Sequence, residues 1–150
     1  ANTITEKYCK RLGMEYEILP DIRSLTRDPE KVLLIDEESR EKLNRFIEEV
    51  GPRYRGRLDI YYSSQQLLEI VPAGVNKGSA ILRVAEYLGV PWENIVSAGD
   101  AANDIPMLKT AHYGVAMKNA APEVLSIARY VTENDNNHNG VAEIIEKYIL

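Results

Sequence analysis

The fold is decided by the stretch Ile95-Val96-Ser97-Ala98-Gly99-Asp100-Ala101-Ala102-Asn103-Asp104-Ile105-Pro106-Met107-Leu108. It begins with a short apolar run rich in β-branched residues, which is typical of a buried strand. The run ends in Gly-Asp, and Asn-Asp then opens a segment with a helical pattern. This places Asp100 at the carboxyl end of a strand and Asp104 one helical turn further on. Ligands of open α/β sheets bind outside the carboxyl ends of the strands, and carboxylates without a basic partner in the segment suit a hard cation such as Mg²⁺.

The whole second half of the chain alternates between helical and strand patterns. Gly89 is placed as the C-terminal stop of the first of these helices. Alternation of this kind predicts a parallel sheet with helices packed against it. The predicted helices span 77–88, 103–110, 121–128 and 141–148, and the predicted strands span 94–98, 113–117 and 130–132.

The first half has a different pattern, which predicts a small α+β domain with an antiparallel sheet. Two of its strands are joined by a short polar turn and predict a hairpin. The change of pattern at Pro72-Ala73-Gly74 predicts two domains, 1–72 and 73–150. The predicted helices of the first half are 4–14 and 37–50, the predicted strands are 31–35, 57–63 and 66–71, and 17–28 is irregular.

Composition excludes several classes of function. The net charge of −5 argues against a nucleic-acid binder, which would show a basic face. No apolar run approaches the roughly 20 residues that a membrane-spanning helix needs. Cys9 is the only cysteine, so an intrachain disulfide is ruled out. We therefore expect a globular protein of the cytoplasm, where thiols stay reduced.

The pattern Gly99-Asp100-x-x-Asn103-Asp104-x-x-Met107-Leu108 resembles the fourth motif of the haloacid-dehalogenase superfamily of phosphatases, in its Cof-type sugar-phosphatase branch with a type IIB cap. The segment 68–78 resembles the entry to the third motif, with Lys77 as the motif lysine. Segments 114–120 and 139–142 are similar to the closing segments of that branch. The resemblance is strong from about residue 68 to residue 150 and looser before. It implies that 1–72 is an α+β cap domain and that 73–150 is the C-terminal half of a Rossmann-like α/β core.

The two aspartates of the fourth motif are the candidate metal ligands. By resemblance, Asp100 is a direct Mg²⁺ ligand. Asp104 binds the metal through water, or orients Asp100 and the lysine. The residues alone leave other roles open, because an Asp at a strand-to-helix turn often caps the helix and an acid in the first turn is favoured by the helix dipole.

Lys77 is the candidate catalytic residue. A lysine in the first helical turn is unfavourable to the helix dipole, yet an ammonium group beside a helix N-terminus makes a phosphate site. The resemblance implies that Lys77 offsets charge on the nucleophile and on the transferring phosphoryl group. The alternative is a solvated surface lysine. Asn103 is expected to fix its loop or touch the phosphoryl group. Asn119 is expected to line the substrate pocket, although a loop Asn can also simply support a turn.

One departure from the family pattern concerns the nucleophile. The family begins with a strand ending in Asp-x-Asp-Gly-Thr, whose first Asp attacks phosphorus, and no Asp-x-Asp occurs in these 150 residues. We therefore expect the later part of such a protein, inactive by itself. Its exposed sheet edge would favour self-association or pairing with the missing N-terminal segment.

The resemblance implies Mg²⁺-dependent hydrolysis of small phosphorylated metabolites, such as sugar phosphates, through an aspartyl-phosphate intermediate. The alternative is a non-catalytic short form that binds a phosphorylated ligand or a protein partner. The lost motif favours that alternative, whereas the intact metal and lysine motifs weigh against it.

Overall fold

The structure is a computed structural model that describes residues 3–36, 38–64 and 66–150. The chain divides into two compact units between Ala73 and Gly74. The boundary predicted from sequence, between residues 72 and 73, lies one residue away. Among the helices of the described residues, none has both the length and the apolar character that crossing a membrane requires.

Six helices and six strands are formed by the described residues. Short 3-10 turns also occur at Ile22–Ser24, Gly51–Tyr54, Trp92–Asn94 and Ala102–Asp104. In chain order the elements are α1 Thr3–Leu12, β1 Val32–Ile35, α2 Glu41–Val50, β2 Leu58–Tyr62, β3 Leu67–Pro72, α3 Lys77–Leu88, β4 Val96–Gly99, α4 Ile105–Thr110, β5 Tyr113–Ala116, α5 Pro122–Leu125, β6 Tyr130–Val131 and α6 Gly140–Tyr148.

The first unit contains an antiparallel sheet in the order β1-β3-β2. Leu68 lies opposite both Leu34 and Tyr62 and is completely buried. The Tyr62 hydroxyl donates to the Asn44 side-chain oxygen at 2.7 Å, which ties α2 to this sheet. The antiparallel pairing of β2 with β3 confirms the predicted hairpin. Residue 65, in the connection between the two strands, lies outside the described residues.

The start of α2 differs from the prediction. A helix was expected from residue 37, which lies outside the described residues, but α2 begins at Glu41. The Asp36 carboxylate accepts the backbone N–H groups of Glu38 at 3.0 Å and Ser39 at 3.3 Å. These bonds favour a turn over a helix, because a local side-chain acceptor competes with helical bonding.

The second unit contains a parallel sheet in the order β4-β5-β6, and this confirms the α/β prediction. Its central strand β5 is almost wholly buried. Val115 of this strand packs with Met117, which follows it, and with Ile144 of α6. Two predicted helices are shorter than expected. The segment 103–110 begins as a 3-10 turn before α4, and α5 ends at Leu125 rather than at residue 128.

Close packing of α3 on α4 positions the start of α3. A Cβ atom at Gly78 would lie 2.6 Å from the backbone oxygen of Pro106 and 2.9 Å from the Thr110 hydroxyl. Real Cβ atoms essentially never approach so closely, so a larger residue would push the helices apart. Glycine at this position therefore allows Lys77, the preceding residue, to lie beside the β4–α4 turn.

Candidate active site

The candidate site lies where β4 and β5 end. Where the strands end, the Met117 N–H donates to the backbone oxygen of Gly99 at 3.0 Å, and the Ala121 N–H donates to the backbone oxygen of Asp100 at 2.8 Å. Segment 117–121 therefore runs beside the turn that carries both aspartates. This is the edge of a parallel sheet at which α/β proteins bind their ligands.

Asp104 is the centre of the site and is only 5% exposed. One of its oxygens accepts the backbone N–H groups of Asp100 at 3.0 Å and Ala101 at 3.1 Å. Its other oxygen accepts a hydrogen bond from the Lys77 ammonium group. Gly99 makes room for this arrangement, since a Cβ atom there would overlap the Cβ of Asp104. A single buried carboxylate thus ties α3 to the turn after β4.

The electrostatics of Asp104 favour its charged form. Burial by itself raises the pKa of this carboxyl group. The hydrogen bonds from Lys77 and from the backbone N–H groups of Ala101 and Asp100 outweigh that effect, so the pKa lies below its ordinary value of 3.8. Asp104 is therefore an anion at neutral pH.

Lys77 is held at the first position of α3. The Asn76 side chain caps this helix by accepting the backbone N–H groups of Gly78 at 2.9 Å and Ser79 at 3.0 Å. The Ser79 hydroxyl in turn accepts the Asn76 N–H at 3.1 Å, which completes a capping box. The Lys77 side chain is 50% exposed, so its ammonium group bonds Asp104 and also meets solvent.

Asp100 and Asn103 contrast with Asp104. The Asp100 side chain is exposed and the Asn103 side chain is half-buried. Within the described part of the chain, neither side chain has a hydrogen bond or ion pair. Both are therefore available to a ligand, and Asp100 offers the carboxylate oxygens that Mg²⁺ prefers.

Asp100 presents an exposed carboxylate, and the Asp104 carboxylate lies beside its backbone. Across residues 3–36, 38–64 and 66–150, no group of three or more His, Cys, Asp or Glu side chains could hold a metal ion. Mg²⁺ commonly takes one or two carboxylates and keeps several water ligands, so the chemistry of this aspartate pair fits that ion.

Asn119 follows β5 and is exposed, but its side chain is paired. Its amide nitrogen donates to the Asn136 side-chain oxygen at 3.0 Å, and its oxygen accepts the Asn136 backbone N–H at 3.2 Å. The sequence pattern did not reveal the pairing of Asn136 with Asn119. The Asn76 cap was also missed, although Asn is a preferred N-cap residue.

The structure thus joins Lys77, Asp104 and the backbone of Asp100 directly. Asn103 lies in the same turn, and Asn119 lies in the adjacent segment 117–121. These features define an α/β protein with a lysine–carboxylate cluster at the carboxyl end of its parallel sheet.

The chain belongs to the haloacid dehalogenase-like hydrolase family, whose model matches residues 2–145. The resemblance to this superfamily is therefore confirmed. YxeH of Bacillus subtilis is 32% identical over 148 residues, which make up 99% of this chain and 53% of YxeH. YcsE of Bacillus subtilis, named a 5-amino-6-(5-phospho-D-ribitylamino)uracil phosphatase, is 40% identical over 107 residues, or 71% of this chain and 42% of YcsE.

Solved structures confirm the fold. A haloacid dehalogenase-like hydrolase from Bacteroides thetaiotaomicron matches with a TM-score of 0.80 and 31% identity, over 97% of this chain and 55% of that protein. The protein TM0651 from Thermotoga maritima matches with a TM-score of 0.77 and 32% identity, over 97% of this chain and 54% of its own. The chain thus spans about half the length of the curated relatives that it matches.

Proposed function

We propose that this chain is part of a Mg²⁺-dependent hydrolase of small phosphorylated metabolites, with 1–72 as its cap domain and 73–150 as half of its core. One observation carries the proposal. At the end of a parallel sheet, both oxygens of Asp104 accept hydrogen bonds, from Lys77 and from backbone N–H groups, whereas the neighbouring Asp100 carboxylate is exposed and unbonded within the described residues. Family membership supports the same chemistry.

Asp100 is the proposed direct ligand of the metal. Both oxygens of Asp104 already have partners, which favours contact through water together with the orientation of Lys77 and Asp100. When bound, Mg²⁺ would offset negative charge on the phosphoryl oxygens.

Lys77 is the proposed phosphoryl-binding residue. An ammonium group has three N–H donors, and Asp104 accepts one of them. Two donors remain for phosphoryl oxygens on the exposed side of the lysine. Because charge builds up on those oxygens in the transition state, a fixed cation there lowers the barrier.

The attacking carboxylate is proposed to come from outside these 150 residues, which contain no Asp-x-Asp. In the first step a bond forms between that carboxylate and phosphorus, and the bond to the leaving oxygen breaks as a second acid protonates it. Water then cleaves the aspartyl-phosphate and releases inorganic phosphate.

Asn103 and Asn119 are the proposed substrate contacts, since both lie on the turns that surround Asp100. The substrate class is a phosphorylated sugar or polyol. The name of YcsE, which specifies a phosphoribityl compound, supports this class. The lone Cys9 supports a cytoplasmic location, as a further proposal.

A second candidate function is the binding of a phosphorylated ligand or a protein partner without catalysis. The exposed Asp100 carboxylate and the exposed side of Lys77 would hold a phosphoryl group, through a metal and directly, whether or not turnover follows. The two functions differ in turnover, which can be measured directly.

The test is Mg²⁺-dependent hydrolysis of p-nitrophenyl phosphate by the 150-residue chain and by the product of the complete gene. We expect hydrolysis by the complete product alone. No hydrolysis by either protein would favour the binding role, and hydrolysis by the 150-residue chain would show that the nucleophile lies within it.

A further inference from the structure

The segment 133–139 is an asparagine-rich loop that is bonded to the start of α6. The Glu143 carboxylate accepts the backbone N–H groups of Glu133 at 2.9 Å and Asn134 at 3.0 Å, and also the Asn134 side-chain amide at 3.1 Å. A Cβ atom at Gly140 would lie 2.8 Å from the backbone oxygens of Asn134 and Asp135, so loop and helix are in close contact. The loop is therefore a fixed part of the fold.

This loop also holds the segment that follows β5. The Lys118 N–H donates to the Thr132 hydroxyl at 3.0 Å, just before the loop. Asn119 and Asn136 then form the two hydrogen bonds described above. Residues 118 and 119 are thus hydrogen-bonded to the segment that follows β6. The Ala121 N–H is hydrogen-bonded to the backbone oxygen of Asp100.

The pairing fixes the orientation of the Asn119 amide. A backbone N–H can only donate, so the Asn119 atom that faces the Asn136 N–H must be the side-chain oxygen. The amide nitrogen then donates one of its two hydrogens to the Asn136 side chain. The second hydrogen remains available to an acceptor such as a phosphoryl or hydroxyl oxygen.

A role in stability alone explains the pair poorly. Both side chains are exposed, and a hydrogen bond in water contributes little net stability because water competes for the same groups. What the pair does provide is a single orientation of an amide at the edge of the sheet where the candidate site lies. Preorganised donors improve binding because they lose less freedom when the ligand arrives.

We propose that Asn136 is a positioning residue, which orients the Asn119 amide so that its free N–H binds an oxygen of the phosphorylated substrate. This inference rests on the proposed function and deepens it. Asn136 acts through Asn119 and need not touch the substrate.

The test compares Asn136→Ala with Asn137→Ala in the complete gene product. Asn137 lies in the same loop, and its side chain has no hydrogen bond in the described residues. Asn136→Ala keeps the backbone N–H that bonds the Asn119 oxygen but removes the side-chain oxygen that holds the Asn119 amide nitrogen. We therefore expect KM for a sugar phosphate to rise about 3- to 10-fold with kcat nearly unchanged. Asn137→Ala should leave KM unchanged.

A rescue variant and a double variant separate orientation from folding. Asn136→Asp keeps the oxygen that accepts from Asn119, so KM should return close to the wild-type value when salt screens the added charge. In an Asn119→Ala background, Asn136→Ala should have no further effect on KM, because the two residues act as one unit.

Three outcomes would overturn the inference. They are an unchanged KM in Asn136→Ala of an active enzyme, an equal rise in Asn137→Ala, and additive effects in the double variant. Complete lack of phosphatase activity in the wild-type gene product would instead contradict the proposed function, and the inference would fail with it. Activity of the wild type therefore distinguishes the two failures.

Discussion

Asp100 and Asp104 are the same residue type four positions apart, yet their surroundings are opposite. Asp104 is buried and bonded through both oxygens, whereas Asp100 is exposed and unbonded in the described residues. Burial makes a charged hydrogen bond expensive to lose, and exposure makes a carboxylate free to bind ligands. The two residues should therefore respond differently to the same substitution.

Asp104→Asn should destabilise the 150-residue chain, and Asp100→Asn should not. Loss of the charged acceptor at residue 104 should lower the free energy of unfolding by about 1.5–3 kcal/mol. Asp100→Asn should change it by less than about 0.5 kcal/mol, as surface substitutions do. Urea denaturation measures both values, and equal losses in the two variants would contradict the assigned environments.

Acid should remove the advantage of Asp104 over its Asn variant. Because the folded-state pKa of Asp104 lies below the ordinary value of 3.8, the charged group stabilises the fold fully only above that value. This stabilisation is lost as pH falls from about 4 through the folded-state pKa. The difference in unfolding free energy between wild type and Asp104→Asn should shrink over that range, and a constant difference would contradict the shift.

The motif residues were predictable from sequence, but the residues that form hydrogen bonds with them were less predictable. Lys77 and Asp104 were placed by their spacing within recognisable motifs. Asn136 lies 17 residues from Asn119, and no local pattern reports a pair that forms only when two loops meet. The roles of all these residues in metal and substrate binding remain predictions.

At the scale of elements, the junction of α3 with α4 positions Lys77. The close approach at Gly78 brings the first turn of α3 against Pro106. Helix formation itself was well predicted, since α3 spans the expected residues 77–88 and Gly89 ends it with a φ of 65°. The contact between helices was not predictable, because periodicity reveals a buried face but not what covers it.

Gly78→Ala should therefore disturb the site and the fold together. The added methyl group would overlap the Pro106 backbone, and overpacking of this kind costs about 1–3 kcal/mol. Urea denaturation of the chain should show that loss, and the complete gene product should also lose activity because Lys77 shifts.

Glu86→Ala is the control on the same helix. Its side chain is exposed and has no hydrogen bond or ion pair in the described residues. The substitution should change the free energy of unfolding by less than about 0.5 kcal/mol. A loss equal to that of Gly78→Ala would contradict the assigned contact.

The whole molecule consists of two units that have different kinds of sheet. Periodicity distinguished the antiparallel sheet of the first from the parallel sheet of the second, because hairpins and helical crossovers leave different spacings in the sequence. Side-chain acceptors that compete with helical hydrogen bonds explain where the structure differs from the prediction. One example is α2, which starts late because the Asp36 carboxylate accepts backbone N–H groups ahead of it. Within the described sheet, β4 lies at an edge, so self-association through that edge stays a prediction.

The central claim is that Asp100 holds the metal of a phosphatase. The most direct test is the dependence of p-nitrophenyl phosphate hydrolysis on Mg²⁺ concentration, measured in the complete gene product with wild-type Asp100 and with Asp100→Asn. We expect chelation to abolish wild-type activity and Mg²⁺ to restore it. Asp100→Asn should lose about 100-fold or more of the rate at Mg²⁺ concentrations that saturate the wild type. Wild-type rates and the same Mg²⁺ dependence in Asp100→Asn would contradict the claim.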